Sequence, residues 1–358
     1  MPHHVDNPLG LNGFAFCEFT SPEPETLTAQ FEQLGFTAVA THPTKAITCY
    51  RQGRINLLLN REPTGQAATF RALHGPSANG MAFRVGNAAN AFKLALARGA
   101  KAADASSGAL GKDSFALEGI GGSLLYLVDQ ANPFADWIAV PGAAEAEAQN
   151  NVGFDLLDHL THNVHRGAMH KWSSFYEKIF DFEEQKYFDI KGKATGLFSQ
   201  AMIAPDHAIR IPLNESQDEH SQIEEFIQTY HGEGIQHLAL STGNIHETVE
   251  KLRARGVRLQ DTPDTYYERV DTRVPGHGED LERLKKNRIL IDGDIRKEGI
   301  LLQIFTENMI GPIFFEIIQR KGNEGFGEGN FQALYESIEL DQIRRGVVTI
   351  DIPEQQDA

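Results

Sequence analysis

The sequence contains little cysteine and no long apolar run. Cys17 and Cys49 are the two cysteines among 358 residues, too few for a disulfide framework or a thiolate metal site. No run of 18 apolar residues occurs, so we expect no helix that spans a bilayer. The opening residues MPHHVDNPLG lack a basic region and an apolar region, and we therefore expect no signal peptide.

Basic side chains are scarce relative to acidic ones. Lysine and arginine number 33, aspartate and glutamate 49, and the formal net charge is −16. A surface this negative repels phosphate backbones and anionic headgroups, which argues against nucleic-acid and membrane partners. At about 150 residues per domain, the length indicates two domains, each able to bury a core. We expect a cytoplasmic protein with two globular domains.

The chain contains an internal repeat. Residues 75–99 and 232–256 align without a gap, from a shared Gly-x-x-x-x start to a shared Ala-Arg-Gly end. The alignment places Gly80 opposite His237. Each copy predicts a short strand followed by an amphipathic helix that ends at glycine, and in the first copy Phe92 and Leu96 mark the apolar helix face.

A second pair of segments predicts the same local structure. Residues 12–36 and 157–182 each indicate a strand, a turn and a helix. In the second segment Trp172, Phe175, Tyr176 and Ile179 follow i, i+3, i+4, i+7 spacing, which predicts the buried stripe of a helix. The fold class expected is α+β, with four βαβββ-type modules, two in each half of the chain.

Fourteen histidines are present, and two of them occupy equivalent places in the repeat. His159 and His237 each follow a polar residue, precede leucine and open a predicted strand. Matching strands of paired modules face each other across a pseudo-twofold cleft, so these two imidazoles are expected to meet at one metal. Nine others lie in polar or turn-rich stretches and are predicted on the surface: His3, His4, His42, His74, His207, His220, His231, His246 and His277.

The histidines just after His159 need a separate interpretation. Side chains alternate along a strand, so His162 is expected to point to the opposite face from His159, under the helix or at the strand edge. We do not expect His162, His165 or His170 to be metal ligands.

Glu316 is the candidate for a third ligand. It is the one acid in the apolar run Ile313–Ile318, and a buried carboxylate needs a metal or a cation as its partner. An ion pair of Glu316 with Arg320 or with another arginine is the alternative. Two imidazoles and one carboxylate would form the facial triad of a non-haem Fe(II) oxygenase, with three coordination positions open.

The first half of the chain lacks these ligand types at the aligned positions. Phe14, Gly80 and Tyr126 lie opposite His159, His237 and Glu316. None of the three binds iron, so we expect one metal site per chain, in the second half.

Six ordered segments resemble the 4-hydroxyphenylpyruvate dioxygenase family. They are DHLTHNV, QIEEF, GIQHLAL, LLQIFT, FFEIIQR and GFGEGNF, and the resemblance extends from about residue 8 to 345. It implies vicinal-oxygen-chelate modules in two half-barrel domains. The implied divisions are an N-terminal domain without metal over 8–135, a linker over 136–152, a catalytic domain over 153–345 and an acidic tail over 346–358.

The resemblance also assigns site residues. His159, His237 and Glu316 match the family's iron ligands. Polar positions of the substrate pocket correspond to Ser199, Asn214, Gln222 and Gln303, and its aromatic walls to Phe305, Phe314, Phe326 and Phe331. A glycine-led lid is implied at Gly325, Gly327, Gly329 and Asn330, with its helix reaching about Arg344.

Some of these residues have plainer interpretations. Ser199 and Asn214 would serve equally as turn or strand-edge polar groups, and the phenylalanines as core. Gln303 differs, because a lone amide in the apolar strand Leu301–Phe305 needs a partner that a substrate phenol or carboxylate can supply. Phe326 and Phe331 flank glycines at the start of a helix, which suits a hinged lid.

The implied reaction converts 4-hydroxyphenylpyruvate and O2 to homogentisate and CO2, in tyrosine and phenylalanine catabolism. The 2-oxo acid chelates one Fe(II) per chain and supplies its own oxo group, so no external 2-oxoglutarate is expected. Oxidative decarboxylation, ring hydroxylation and side-chain migration follow. We expect a homo-oligomer with a small-molecule substrate.

Two other functions stay open at the level of sequence. A 4-hydroxymandelate synthase shares substrate and metal and oxidises the benzylic carbon instead of the ring. Phe305, where a smaller aliphatic residue is expected in the synthase, and Pro212-Leu213-Asn214 favour the dioxygenase. A metal-free ligand-binding protein on the same scaffold would be expected to lose the ligand positions, yet the second half retains all three.

Overall fold

Two mixed eight-stranded sheets form the frame of the molecule. The computed structural model describes residues 6–111, 114–129, 132–191, 196–219 and 221–333. The strands of the first sheet are β1 (Phe14–Thr20), β2 (Thr37–Thr41), β3 (Ile47–Gln52), β4 (Ile55–Asn60), β5 (Ser77–Val85), β6 (Phe115–Glu118), β7 (Leu124–Asp129) and β8 (Ile138–Ala139). Those of the second are β9 (Phe154–Val164), β10 (Glu183–Lys191), β11 (Gly196–Ile203), β12 (Arg210–Ser216), β13 (Gly234–Thr242), β14 (Leu290–Asp294), β15 (Gly299–Phe305) and β16 (Phe314–Lys321).

Helices connect the strands. They are α1 (Pro24–Gln33), α2 (Gln66–His74), α3 (Ala88–Ala97), α4 (Ala143–Asn150), α5 (Met169–Phe180), α6 (Gln222–Tyr230), α7 (Ile245–Ala254), α8 (Asp264–Tyr267), α9 (Val270–Arg273) and α10 (Leu281–Asn287). Residues 328–333 are also helical. The remainder of the expected lid helix and the acidic tail lie outside the described residues.

The strand orders confirm the α+β fold of paired modules. The first sheet runs β6-β7-β5-β1-β4-β3-β2-β8 and the second β10-β11-β12-β9-β13-β16-β15-β14. Within each sheet two modules meet through an antiparallel pair, β1 with β5 and β9 with β13. In the second module of the first sheet, the first of the three strands expected after the helix is reduced to an isolated bridge between Ala102 and Leu117.

Strand register identifies equivalent residues in the two sheets and corrects one expectation. Ala82 pairs with Phe16 in the first sheet, as Ala239 pairs with His159 in the second. Phe16 is therefore the counterpart of His159, and the expected equivalence of Phe14 is wrong. Both sheets carry bulges at matching places, so the bulges do not cause the difference. A shift of two residues preserves the alternation expected of a regular strand, and the sequence pattern alone therefore does not detect it.

Tyr126 keeps the equivalence expected for it. Ala82 also pairs with Tyr126, as Ala239 pairs with Glu316. Gly80 precedes Ala82 by two residues, as His237 precedes Ala239. The three ligand positions in the second sheet therefore match Phe16, Gly80 and Tyr126 in the first.

Helix packing follows the sequence pattern in α5 and departs from it in α3. Along α5, Trp172, Tyr176 and Ile179 are buried as expected, and Phe175 is half-buried. In α3 the buried side chains are Ala88, Ala91 and Ala95. The expected face is wrong in part, because Phe92 is half-buried and Leu96 is 37% exposed. Alanines allow the helix backbone to approach strands β6 and β7 closely, and this rotates the larger side chains outward.

Three histidines expected at the surface are buried. His74, His246 and His277 have 5%, 8% and 8% of their surface exposed. His74 stacks on Tyr230, which joins α2 to α6 across the contact between the two halves. His207 and His231 are exposed, and His42 is half-buried; His3, His4 and His220 lie outside the described residues.

The first sheet fills its own concave side. Phe16, Tyr126 and Phe134 pack together there with ring centroids 5.3 and 5.7 Å apart. Buried Glu18 accepts hydrogen bonds from Asn60, Asn79 and Tyr126 in the same place. Among the described residues, no helix is both long enough and apolar enough to cross a membrane.

Candidate metal centre

Three neighbouring central strands bring His159, His237 and Glu316 together. Ala239 on β13 pairs with His159 of β9 on one side and with Glu316 of β16 on the other. His237 precedes Ala239 by two residues and so presents its side chain on the same face of the sheet. Their ligand atoms all lie within 4.8 Å of one another.

The carboxylate of Glu316 lies between the two imidazoles. Its Oε2 is 3.1 Å from His159 Nε2 and 3.3 Å from His237 Nε2. The exposed fractions of His159, His237 and Glu316 are 2%, 9% and 3%. Glu316 Oε1 is buried and has no hydrogen-bond partner among the described residues, which leaves an acceptor directed at the shared space.

Electrostatics favours the charged carboxylate. Burial alone would raise the pKa of Glu316, but the charge and hydrogen bond of His159, together with those of His237, lower it to about 2. Burial lowers the pKa of His237 below its ordinary value, despite its hydrogen bond to Glu316. A carboxylate and a neutral imidazole are the forms of these side chains that bind metal.

Each imidazole has a partner on its other nitrogen. His159 Nδ1 is 2.9 Å from Asp158 Oδ1, and His237 Nδ1 is 3.0 Å from Gln236 Oε1. Because both partners are acceptors, each Nδ1 carries a hydrogen and each Nε2 is the nitrogen left for a metal. Although burial would lower the pKa of His159, Glu316 and Asp158 raise it, so a metal would displace the proton that His159 Nε2 shares with Glu316. Thr161 Oγ1 lies 3.0 Å from His237 Nε2.

β-Bulges place these partners beside their histidines. The β9–β13 register shifts between Ala239 and Leu240, where Asp158 is the extra residue, and between Ile235 and His237, where Gln236 is. A bulge interrupts the alternation of side chains, so that two consecutive residues can serve one site.

Arg320 does not pair with Glu316, and that alternative is wrong. Its Nε and Nη2 each donate to the carboxylate of Asp158 at 2.8 Å. These two bonds form a bidentate ion pair.

The other histidines near the centre lie away from it. His162 is fully buried on the opposite face, with Nε2 2.8 Å from the hydroxyl of Tyr176 on α5, as the alternation of side chains predicts. His165 and His170 are exposed.

A cavity of about 830 Å³ opens onto the three side chains. All eight expected pocket residues line it: Ser199, Asn214, Gln222, Gln303, Phe305, Phe314, Phe326 and Phe331. Ser199 and Asn214 are paired on β11 and β12, and Gln222 begins α6, which Ser221 caps. Gln303 is 2% exposed and its Oε1 has no partner within the described chain.

Three phenylalanines surround the imidazoles. Phe314 stacks on His237 at 4.8 Å between ring centroids, Phe305 meets the same ring edge-on at 6.3 Å, and Phe326 meets His159 edge-on at 5.3 Å. Phe331 lies at the rim and is 47% exposed. These walls leave the metal-facing end of the cavity largely apolar.

The expected lid residues lie at the base of the segment after β16. Arg320 Nη1 donates to the carbonyl of Gly325 at 2.7 Å. Gly329 N donates to Asp292 and Tyr266 donates to Asn330. Gly327 has φ of +76°, and a side chain there would overlap the amide of Gln303.

Several residues of the centre are absent from the expected set. Gln236 lines the cavity and holds His237, Asp158 holds His159, and Thr161 also lines the cavity. The polar–His–Leu pattern marks Asp158 and Gln236 in the sequence, but strict strand alternation would turn both side chains away from the site.

The donor set fits Fe(II). Two imidazole nitrogens and the Glu316 carboxylate, whose buried Oε1 has no partner among the described residues, meet on one side of a cavity, and this is the facial triad of non-haem iron oxygenases. Cysteine is missing from the group, which disfavours a structural zinc site.

Comparisons with known proteins find similar proteins over nearly the whole chain. Residues 5–136 match the family "Hydroxyphenylpyruvate dioxygenase, HPPD, N-terminal", and residues 156–270 match the Glyoxalase/Bleomycin resistance protein/Dioxygenase superfamily. The chain is 57% identical to 4-hydroxyphenylpyruvate dioxygenase of Pseudomonas aeruginosa over 351 residues, covering 96% of this chain and 97% of that protein. It is 56% identical to the hemolysin VllY of Vibrio vulnificus, covering 96% and 98%.

A solved structure is similar over nearly the same length. It is a mutant 4-hydroxymandelate synthase from Streptomyces coelicolor, with a TM-score of 0.79 and 26% identity, covering 93% of this chain and 99% of that one.

Proposed function

The chain belongs to the 4-hydroxyphenylpyruvate dioxygenase family, and from that premise we propose that His159, His237 and Glu316 hold its single Fe(II). The enzyme is an Fe(II)-dependent dioxygenase that converts 4-hydroxyphenylpyruvate and O2 to homogentisate and CO2, in tyrosine and phenylalanine catabolism. The observation that carries the ligand assignment is the buried Glu316 carboxylate between two Nε2 atoms.

The metal-facing residues fix the geometry of the centre. When bound, Fe(II) would be chelated by the 2-oxo acid substrate and would supply the activation of O2 for oxidative decarboxylation. Asp158 and Gln236 keep the hydrogen of each imidazole on Nδ1, which holds both Nε2 atoms in the ligand form. Glu316 contributes one negative charge, so a 2+ ion and an anionic substrate are close to electrically balanced.

The polar pocket residues orient the substrate ring. Asn214 lies four residues along β12 from Arg210, the residue level with His159, which is about 13 Å at roughly 3.3 Å per residue. Ser199 on β11 is paired with Asn214 and lies at the same level. With Gln222 they supply the hydroxyl and amides that receive the phenol. Gln303 also presents its amide to the substrate in this cavity, and its Oε1 has no partner among the described residues.

The phenylalanines and the lid keep water out. Phe305 and Phe314 are the fixed walls, since they lie on β15 and at the start of β16. Phe326 and Phe331 belong to the segment that begins at Gly325 and closes over the cavity, with Gly327, Gly329 and Asn330 at its base. Closure excludes water while the ring is oxidised.

The two separate sheets support a division of the chain into domains. We propose a metal-free domain over residues 8–135, a linker over 136–152, the catalytic domain with its lid over 153–345 and an acidic tail over 346–358. The filled concave side of the first sheet, with Phe16 and Tyr126 at the ligand positions, supports one iron per chain.

We also propose that the protein is a cytoplasmic homo-oligomer. Cys17 and Cys49 are both buried free thiols, which is consistent with a reducing compartment. Ile138 on the edge strand β8 is 57% exposed and offers an apolar contact to a second copy. Light scattering should give a multiple of 39.7 kDa, and a monomer at working concentration would contradict the assembly.

Iron binding tests the ligand assignment. His159→Ala and His237→Ala should each reduce bound Fe(II) to a small fraction of one per chain, because two remaining ligands cannot retain it at micromolar concentration. His170→Ala, an exposed histidine on α5, is the matched control and should bind iron normally. Unchanged iron content in both site variants would refute the triad as the iron site, whereas a wild type that binds no iron would favour a metal-free ligand-binding protein.

Product analysis separates the dioxygenase from 4-hydroxymandelate synthase. Incubation of the Fe(II)-loaded protein with 4-hydroxyphenylpyruvate and O2 should yield homogentisate and CO2. Phe305, packed edge-on against His237 and Phe314, narrows the cavity beside the ring and supports attack on the ring carbon. Hydroxymandelate as the product would overturn this function.

A further inference from the structure

We infer that Arg320 is a positioning residue that couples the metal ligand His159 to the closed lid. The inference rests on the proposed metal site. Arg320 lies on β16, four residues after Glu316 and on the same face of the strand. Its side chain is 13% exposed, and that of its partner Asp158 is 4% exposed.

The guanidinium bridges two groups with its separate N–H donors. Nε and Nη2 hold both carboxylate oxygens of Asp158 at 2.8 Å. Nη1 donates to the backbone carbonyls of Asn323 at 3.0 Å and Gly325 at 2.7 Å. One planar side chain therefore fixes a carboxylate and the backbone at the start of the lid segment at the same time.

The contacts form a closed loop that links Arg320, Asp158, His159 and the lid base. Asp158 accepts the Nδ1 hydrogen of His159, and the carbonyls held by Arg320 belong to the backbone just before Phe326. The ring of Phe326 lies edge-on to His159 at 5.3 Å and 5.8 Å from the Arg320 guanidinium carbon. Moving the lid base therefore shifts Arg320, Asp158 and the imidazole together.

The coupling is reciprocal by thermodynamic necessity. If metal at His159 Nε2 fixes the imidazole, it also fixes Asp158 and Arg320, and so holds the carbonyls of Asn323 and Gly325. Lid closure must then raise Fe(II) affinity by the factor by which Fe(II) favours closure. The Nδ1 partner of His237 is instead the amide of Gln236, which makes no observed hydrogen bond to the lid base among the described residues.

Arg320→Lys tests the coupling, since lysine keeps the charge and loses the planar fork. We expect its Fe(II) affinity, measured anaerobically against a chromogenic chelator, to fall about 10- to 100-fold, the range known for outer-sphere partners of metal ligands. We also expect Fe(II) to slow amide hydrogen exchange across residues 323–331 in the wild type, and this protection to disappear in the variant.

Arg98→Lys is the matched control. Arg98 also bridges an aspartate and a backbone carbonyl, Asp181 and Ile179, but far along the chain from the metal site. It should lose stability without losing Fe(II) affinity or lid protection. A purely structural role for Arg320 would give the same result in Arg320→Lys and would overturn the inference.

The outcomes also separate this inference from the metal assignment. Normal Fe(II) affinity in His159→Ala would refute the metal site itself. Weak binding in that variant, together with near-wild-type affinity in Arg320→Lys, would refute the coupling alone. Should Arg320→Lys fail to fold, the wild type decides: no effect of Fe(II) on exchange across 323–331 would overturn the coupling.

Discussion

At the scale of single residues, the candidate metal centre depends on two side chains that are not candidate ligands. Asp158 and Gln236 accept the Nδ1 hydrogens of His159 and His237. An acid in an apolar strand and two histidines at repeated positions are visible in the letters of the sequence. The roles of Asp158 and Gln236 are not predictable in this way. A bulge turns each side chain toward the site, and a bulge depends on pairing with another strand. Family resemblance predicts that Ser199, Asn214 and Gln222 line the pocket, whereas their pattern in the sequence does not.

His162 should make the protein sensitive to acid. Burial lowers its pKa to about 3, whereas in the unfolded chain it is about 6.5. Between these values the unfolded state binds a proton that the folded state does not, so stability falls as pH falls, by up to about 1.4 kcal/mol per pH unit. His162→Gln should remove this part of the slope.

Urea unfolding at about pH 6 and pH 4.5 measures that slope. Exposed His170→Gln serves as the control and should leave it unchanged. An equal slope in wild type and His162→Gln would contradict the neutral buried imidazole.

At the scale of elements, the lid base depends on close backbone approach. Gly327 combines φ of +76° with a position where a Cβ would overlap the amide of Gln303. Gly327→Ala should therefore displace Gln303 or the lid, raise KM for 4-hydroxyphenylpyruvate and lower kcat by at least about tenfold, in line with the cost of misplacing reactive groups.

Gly142→Ala separates the backbone cost from the overlap. Gly142 has a similar φ of +71° and no atom within 4 Å of its Cβ position. It should lose about 1 kcal/mol of stability and keep wild-type kinetics. Normal kinetics in Gly327→Ala would mean that the lid base tolerates the displacement.

The periodicity of the sequence predicts where helices and strands occur better than it predicts which of their faces are buried. The strand and helix of each repeat occur where the pattern places them, yet α3 buries its alanines and leaves Leu96 exposed. Hydrophobicity alone ranks Leu96 above Ala95, whereas close packing on β6 and β7 favours the smaller side chain. This preference depends on the distance between the helix and the sheet, which the sequence of the helix alone does not determine.

At the scale of the whole molecule, the duplication separates a structural half from a catalytic half. In the first half Tyr126 occupies the place of Glu316, and its hydroxyl donates to buried Glu18 at 2.8 Å. Tyr126→Phe should leave Glu18 short of a donor and lower the free energy of unfolding by about 1–3 kcal/mol. Iron content and kcat should not change.

Tyr187→Phe is the control for this prediction, because Tyr187 is 48% exposed and should lose little stability. Denaturant unfolding and metal analysis of the two variants provide the measurement. A loss of iron in Tyr126→Phe would show that the first half takes part in metal binding.

Location of the iron tests the central claim most directly. Anomalous diffraction at the iron absorption edge, on crystals of the Fe(II)-loaded protein, should show one peak per chain within coordination distance of His159 Nε2, His237 Nε2 and the Glu316 carboxylate. A peak elsewhere, or a second peak beside Phe16 and Tyr126, would contradict the account.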